Sequence, residues 1–561
     1  RRLNKKIMNV NKVNKYTSTV ETTTRRLNKF HQPHGLHTTF DSGKLIPIYL
    51  KEVLPNDVRK VKWSSVVRLM TPKFPTMDNA KIDTFFFFVR NRDIWDDWNK
   101  FMGENSDPWA ISTEPQVPQL SIPIDESLRQ VGDLADYMGI PVQKLTSDVS
   151  TRIKVNALPF RAVCKIWNEY FRDENYQSNL YYPKDSSEAG YSLPGDSPIT
   201  NYVYNGALCP PVNRYKDYFS SCLPAPQKGN PVTLPLGDYA PVELTSGQNV
   251  DTKYLTEMSL YDSTGSKKSL GSTHNVVYGG PQNETKVSVG IVPNDPTIMY
   301  ADTKVFARAN LANATAASIN AIRLAFQSQR FLEQSARGGT RYTELLVSMF
   351  GVNAPDLMLN RAEFLGGKSF PLSLTPVTDV GANLGNVGGM SSTVSGDYAF
   401  KKHFNEHGYI IGFACVRTDR SYSQGVEPLW FRKEKTDFYF PVFSHIGEQP
   451  VLKREIYIND PATRDSVFGY KEAWTEYRTS LNKNTGYMRS GISNTLNVWN
   501  YSDDYTAAPV LNSSWLFEQK SIIDRTINNQ NRMQFIADFW FDDTLYSVVS
   551  KNSKPGLIDH Y

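Results

Sequence analysis

Residues Val66–Gly103 read VVRLMTPKFPTMDNAKIDTFFFFVRNRDIWDDWNKFMG and carry the clearest signature of a β-rich fold. Val66–Met70 is a strand-like apolar run. Pro72, Pro75 and Asp78-Asn79 supply turn chemistry. Ile82–Val89 is almost wholly aromatic and β-branched. Four consecutive phenylalanines cannot alternate between core and water, so this strand is expected to be covered on both faces. Ile94, Trp95, Trp98, Phe101 and Met102 then recur at helical spacing, with Gly103 placed to close the helix. Strand, turn, buried strand and amphipathic helix form a packing unit that holds no reaction centre.

Leu45–Val53 and Val58–Met70 read as strands joined by a turn at Pro55-Asn56-Asp57. Leu128–Met138 reads as a weak amphipathic helix stopped by Gly139 and Pro141. Ala157–Gln177 reads as the best helix. Pro159 sits in its first turn, Val163, Ile166, Trp167, Tyr170 and Phe171 form one stripe, and Arg161, Lys165, Glu169 and Arg172 take the other side. From Tyr181 to about Tyr300, Pro, Gly, Ser, Thr and Asn dominate, as in an insertion of turns and short strands or a separate exposed module. Asn310–Arg337 reads as helix, stopped by Gly338-Gly339, with Thr340 capping a second helix through Phe350. Residues 366–398 read as a Gly/Ser-rich loop, Tyr409–Val416 as a buried strand, Phe438–Phe443 as a short β segment and Met533–Val548 as the last strand.

Aromatic residues make up 12% of the chain, which suits strands and protein–protein contacts. The net charge of +5 is too small for a uniformly basic DNA wrapper. The first thirty residues, however, carry nine basic side chains, Arg1, Arg2, Lys5, Lys6, Lys12, Lys15, Arg25, Arg26 and Lys29, against one acid, Glu21. Their local +8 leaves −3 for the remainder. Almost no apolar periodicity accompanies that charge, so the segment reads as an arm that neutralises phosphates, or orders against a neighbouring subunit. The basic N-terminus has no apolar h-region and does not read as a secretory signal, and the apolar run at Ile410–Val416 is too short to span a bilayer. Cys164, Cys209, Cys222 and Cys415 form no CxxC pattern and read as reduced thiols, with a Cys209–Cys222 bridge as the alternative.

Catalytic patterns are weak. His403–His407, HFNEH, fits an inverted zinc-protease pattern, but Gly408 and a strand-like run follow at once. His31, His34 and His37 are separated by Pro33 and Gly35, which break any aligning helix, so they read as a polar loop. Asp96-Asp97, Asp503-Asp504 and Asp542-Asp543 adjoin aromatics, yet adjacent acids point in different directions and make no catalytic pair. Gly338-Gly339 ends a helix without a Gly-Lys-Ser/Thr, so it is a helix–helix turn and not a phosphate cradle. The reading assigns no catalytic residue, metal or cofactor.

Several blocks carry a resemblance: MDNAKIDTFFFFVRNR with its Trp-rich helix and FMGEN, LPFRAVCKIWNEYFRDENYQ from Leu158, SARGGTRYTELLVSMFGVNAPDLMLNRAEFLGG from Ser335, HGYIIGFACVRTDRSYSQG from His407, and FGYKEAWTEYRTSLN from Phe468. Together they resemble the major capsid proteins of the gokushoviruses, small icosahedral single-stranded DNA phages of the microvirus group. The resemblance weakens in the arm and over 225–290. It implies a mainly β chain, an eight-stranded antiparallel viral jelly roll with long insertions. The expected organisation is a basic arm over 1–37, a jelly-roll core over 38–224 and 301–561, and a variable surface insertion over 225–300. The implied function is a T=1 homo-oligomeric shell around circular single-stranded DNA, in a virion assembled in the bacterial cytoplasm. Implied partners are a small basic DNA-binding protein, a minor pilot protein and an internal scaffolding protein of the same phage, and a host-surface receptor, with no membrane insertion. The competing reading is a secreted β-rich carbohydrate-binding protein or glycoside hydrolase. Aromatic content and acidic doublets favour it; the absent signal and the basic arm oppose it.

Overall fold

Two antiparallel sheets face each other across an aromatic core in the computed structural model. It describes residues 26–104, 115–146, 149–193, 202–232, 242–245, 260–261, 267–268, 300–301, 306–309, 319–378, 387–530 and 532–552. The sandwich strands are β1 (Asn28–His31), β2 (His34–Phe40), β3 (Ile46–Val53), β4 (Val58–Leu69), β5 (Ala80–Arg90), β6 (Glu363–Pro371), β7 (Thr393–His403), β8 (Gly408–Thr418) and β9 (Phe535–Ser547). In the first sheet β1 and β2 both pair with β9, which pairs with β4, which pairs with β7. The second sheet runs β6-β5-β8-β3.

Side-chain alternation explains the first sheet. β4 buries Val61, Trp63, Ser65 and Val67 and exposes Lys60, Lys62, Ser64 and Arg68; β9 buries Phe535, Ala537, Phe539 and Phe541. Its register sets Phe535 opposite Leu69 and Tyr546 opposite Val58. The sheets meet through Tyr49 against Phe541 (5.2 Å), Trp63 against Phe370 (5.8 Å) and Phe86 against Phe400 (5.8 Å).

The four-phenylalanine strand β5 is covered on both faces, as its composition requires. Phe86 and Phe88 point into the sandwich, Phe88 lying 4.7 Å from Phe404. Phe85 and Phe87 point the other way, against Phe171 (5.2 Å) and Tyr170 (4.8 Å). Those two residues end helix α1 (Leu158–Ile166), which runs on as a π-helical turn, Trp167–Phe171. The turn stops the helix six residues before the expected Gln177, with Arg172 already extended. The polar side of α1 is not solvated. Arg161 is buried and donates to the carbonyls of Asp185 (2.8 Å) and Ser187 (3.3 Å), and Lys165 reaches Glu169 and the Asn360 carbonyl.

Several local expectations need correction. The helix expected over 94–103 is cut to Trp98–Phe101, preceded by a 3₁₀ turn at Asn91–Asp93 and a wholly buried Trp95. Leu128–Met138 keeps only Leu134–Tyr137 as helix, capped by Asp133. Phe438–Phe443 is not β: Pro441 lacks the amide a ladder needs, and 3₁₀ turns form at Lys435–Asp437 and Pro441–Phe443. The Gly/Ser-rich stretch 366–398 holds β6, Leu374–Thr378, Val387–Ser391 and the start of β7. All four cysteines are free and buried, so Cys209 and Cys222 are not bridged.

The chain divides into two compact units. One comprises 1–226 and 335–561, the other Gln227–Gln334. Within the second unit, Val242–Thr245 pairs with Phe306–Ala309, and Leu260–Tyr261 lies between Lys267–Lys268 and Tyr300–Ala301. Most of the expected insertion at 225–300, and residues 310–318 of the expected helix, lie outside the described residues. Helix α2 (Ile319–Gly338) ends at the Gly-Gly turn, where Gly339 takes φ +92°, and α3 (Tyr342–Phe350) follows. Among the described residues, no helix is long and apolar enough to cross a membrane.

Candidate nucleic-acid interface

The face of the first sheet turned away from the core is a wall of alternating side chains. Residues directly opposite on paired strands share a face. Lys62 of β4 thus stands between Asp542 of β9 and Tyr398 of β7, Ser64 between Trp540 and Gly396, and Lys60 between Thr544 and Lys401. β1 and β2 extend the wall, with Lys29 opposite Tyr546, Gly35 opposite Trp540 and His37 opposite Asp538.

Its chemistry is basic with aromatic interleaving. Lys29, Lys60, Lys62, Arg68 and Lys401 are exposed, and none has a carboxylate partner among the described residues. Trp540 is 53% exposed, Ile536 49% and Tyr398 42%. An aromatic ring half in water on an open sheet face has the chemistry to stack on a base, and ammonium groups on the same face suit phosphates. The acids here are engaged by histidine: His31 lies 3.4 Å from Asp542 and His37 3.2 Å from Asp538.

Of the arm residues singled out from sequence, Arg1, Arg2, Lys5, Lys6, Lys12, Lys15 and Arg25 lie outside the described residues. Arg26 is exposed just before β1, and Lys29 is on β1, facing the same side as Lys60 and Trp540. Strand β1 therefore starts at Asn28, inside the segment read as an arm. Sequence reasoning missed the wall itself. Its signal was present in the alternation of Val58–Leu69, VRKVKWSSVVRL, where every second position is a Lys, Arg, Ser or Val facing outward.

The other candidates do not converge. β7 ends at His403 and β8 starts at Gly408, so HFNEH is a strand–turn–strand and not a helix. His403 meets Asn56 Oδ1 at 2.9 Å, Glu406 accepts from Arg92 at 2.6 Å, and the His407 ring lies against Trp98. His31, His34 and His37 lie on β1 and β2 rather than in a loop, with His34 stacked on Phe541 at 5.2 Å. No group of three or more potential metal ligands is found among the described residues.

The acidic doublets separate into a buried and an outer member in two cases. Asp543 is fully buried and receives Arg59 Nη1 (2.6 Å) and Tyr49 OH (2.7 Å), tying the two sheets together. Burial, with the Asp543 charge beside it, pushes the Tyr49 hydroxyl far above its ordinary pKa. Asp503 sits between Arg214 (3.0 Å) and Arg420 (3.2 Å); burial opposes its charge, but the two guanidiniums hold it below the usual carboxylate range. Asp504 accepts from Asn497 at 3.1 Å. In Asp96-Asp97 the carboxylate of Asp97 takes Lys100 and Ser186. These are structural pairings.

A two-sheet sandwich with helical insertions and a charge-tied interior defines a β-sandwich structural protein. The family model described as "Capsid protein (F protein)" matches residues 18–557. The chain is 37% identical to capsid protein VP1 of Spiroplasma virus 4, over 94% of this chain and 95% of that protein. It is 34% identical to capsid protein VP1 of Bdellovibrio phage phiMH2K (92% of each chain) and 34% identical to that of Chlamydia phage 1 (96% and 97%). The chain belongs to this phage capsid-protein family, as a major capsid protein of the gokushovirus type. Its role is structural and not enzymatic.

Proposed function

We propose that copies of this chain close into a T=1 icosahedral shell around a circular single-stranded DNA genome, with the basic wall facing the DNA. The observation that carries the DNA-facing assignment is Lys29, Lys60, Lys62 and Lys401 spread around Trp540 and Tyr398 on one open sheet face. Such a face holds a polyanion without reading its sequence. The arm enters the sheet at β1 and adds Arg1, Arg2, Lys5, Lys6, Lys12, Lys15, Arg25 and Arg26 to the same duty.

The sandwich is an eight-stranded jelly roll in this reading. Strand order supports it: β2-β9-β4-β7 in one sheet and β3-β8-β5-β6 in the other, with β1 an extra edge segment. From β2 to β9 the chain switches sheets at every step except β5 to β6, which pair with each other, as in two Greek keys. The segment 225–300 serves as the outer-surface insertion for host attachment. The small basic DNA-binding protein, pilot protein, scaffolding protein and host receptor are the partners this role requires, and the cytoplasm of the host is where the shell forms.

Ultraviolet crosslinking of DNA inside purified particles, read by mass spectrometry, tests the assignment. Adducts should fall on peptides of β4, β9 and the arm. Adducts confined to 225–300 or to the α3 region would refute it.

A further inference from the structure

The segment Glu427–Gly447 and the turn after Trp474 bring apolar side chains to the surface of the first unit. Trp430 is 75% exposed, Val442 87%, Tyr477 51%, Phe438 48%, Phe440 45% and Tyr439 44%. A scattered exposed Leu or Phe has no meaning, but Phe438, Tyr439, Phe440 and Val442 follow one another along the chain, with Tyr477 packed beside Tyr439 and Trp430 in the same segment. Tyr439 packs on Tyr477 (6.1 Å) and Trp474 (5.6 Å), and the Arg432 guanidinium lies over Tyr477 (4.4 Å) and Phe438 (5.6 Å).

The surface is held rigid although it has almost no regular secondary structure. Trp474 takes φ +64°, a left-handed conformation that costs a bulky residue energy. Its indole donates to the Phe443 carbonyl at 2.9 Å, pinning the 440–443 turn. Asp437 accepts from the amides of Lys433 (2.7 Å) and Glu434 (2.9 Å), and Arg432 reaches Glu476 at 3.3 Å. An apolar patch ordered before anything covers it binds with little further entropy loss.

We infer that this aromatic patch is a subunit–subunit contact, covered in the shell by a second copy of the chain. The inference rests on the shell reading, which supplies the neighbour. Area supports it. Aromatic side chains offer roughly 150–250 Å² each, so the five here, between 44% and 75% exposed, present roughly 500 Å², more than half of the ~800 Å² per partner of a standard interface. Composition supports it too, since Trp, Tyr, Phe and Arg are the residues enriched at contact cores.

The test compares wild type with the double variant Trp430→Asp/Val442→Asp in the phage-producing host. Both side chains are mostly solvent-exposed, so the subunit is expected to keep its fold, checked by circular dichroism and thermal unfolding. Shell yield should fall about tenfold or more, as when a hot-spot side chain is lost, with soluble subunits accumulating. A second measurement stands independent of any variant: hydroxyl-radical footprinting of wild-type shells against dissociated subunits. Protection of 430–442 in shells supports the contact. Equal labelling in both states overturns it, as does wild-type shell yield from the variant, including the case where only scaffolding-protein capture or host attachment is lost. If wild type forms no shells at all, the shell reading itself falls.

Discussion

Arg59 and Asp543 lie on neighbouring strands with Nη1 and Oδ2 2.6 Å apart, and both side chains are almost completely buried. The same carboxylate oxygen accepts the hydroxyl of Tyr49 from the opposite sheet. One acid therefore joins three strands across the sandwich. Removing it leaves a guanidinium in the core with no counter-charge. Asp543→Ala is expected to destabilise the subunit by about 3–5 kcal/mol, measured by denaturant unfolding of dissociated subunits. A loss below 1 kcal/mol would mean water reaches Arg59, contrary to the packing described.

The basic wall leads to a separable pair of effects. Trp540→Ala removes one stacking ring and should weaken binding of a short oligodeoxythymidine by about 1–3 kcal/mol with the salt dependence unchanged. Lys60→Ala/Lys62→Ala should instead flatten the plot of log affinity against log salt. Fluorescence anisotropy over a salt series distinguishes them. Wild-type affinity and slope in both variants would remove the sheet face from the DNA-binding surface.

Gly366 and Gly388 offer a contrast within one glycine-rich stretch. A Cβ on Gly366 would collide with the Ala399 carbonyl oxygen, whereas one on Gly388 meets nothing closer than 3.8 Å. Gly366→Ala should lower the unfolding midpoint of the subunit clearly, and Gly388→Ala should leave it nearly unchanged. Equal midpoints for the two variants would contradict the close approach of β6 to β7.

That contrast explains what could be read in advance. β4, β5, β8 and β9 were legible because their inward positions are Val, Ile, Phe and Trp, a signal that local chemistry carries by itself. β6 and β7 were not. Glycines at 366, 367 and 396 look like loop until β6 is seen to pass close over Ala399 and Thr84, contacts distant in sequence. Aromatic Phe438–Tyr439–Phe440 erred the other way, toward strand, because Pro441 and the Asp437 cap outweigh β propensity. For the site, charge density is legible along the arm, whereas Lys60, Lys62 and Trp540 share a face only once β4 and β9 are paired.

Glu455 should make stability depend on pH. Burial pushes its carboxyl up to about 7, despite hydrogen bonds from Tyr218 (3.0 Å) and the Leu452 amide (2.9 Å). In the unfolded chain it titrates near 4.5. Between those values the folded state holds the extra proton, so this group's stabilisation is fully present below about pH 4.5 and is lost as pH rises through about 7. Glu455→Gln should flatten the thermal-midpoint profile between pH 5 and about 7. An unchanged profile would show that Glu455 ionises freely in the fold.

Deletion of 230–285, joined by a short Gly/Ser linker, should leave shell formation largely intact and reduce attachment to host cells. Loss of all assembly would show that the segment contributes to the shell itself.

Size-exclusion chromatography followed by negative-stain microscopy of the chain purified from phage-producing cells addresses the capsid role most directly. Void-volume material made of closed, uniform particles that protect single-stranded DNA from nuclease is the expected result. A chain that elutes wholly as a monomer, with no DNA protected, would contradict it.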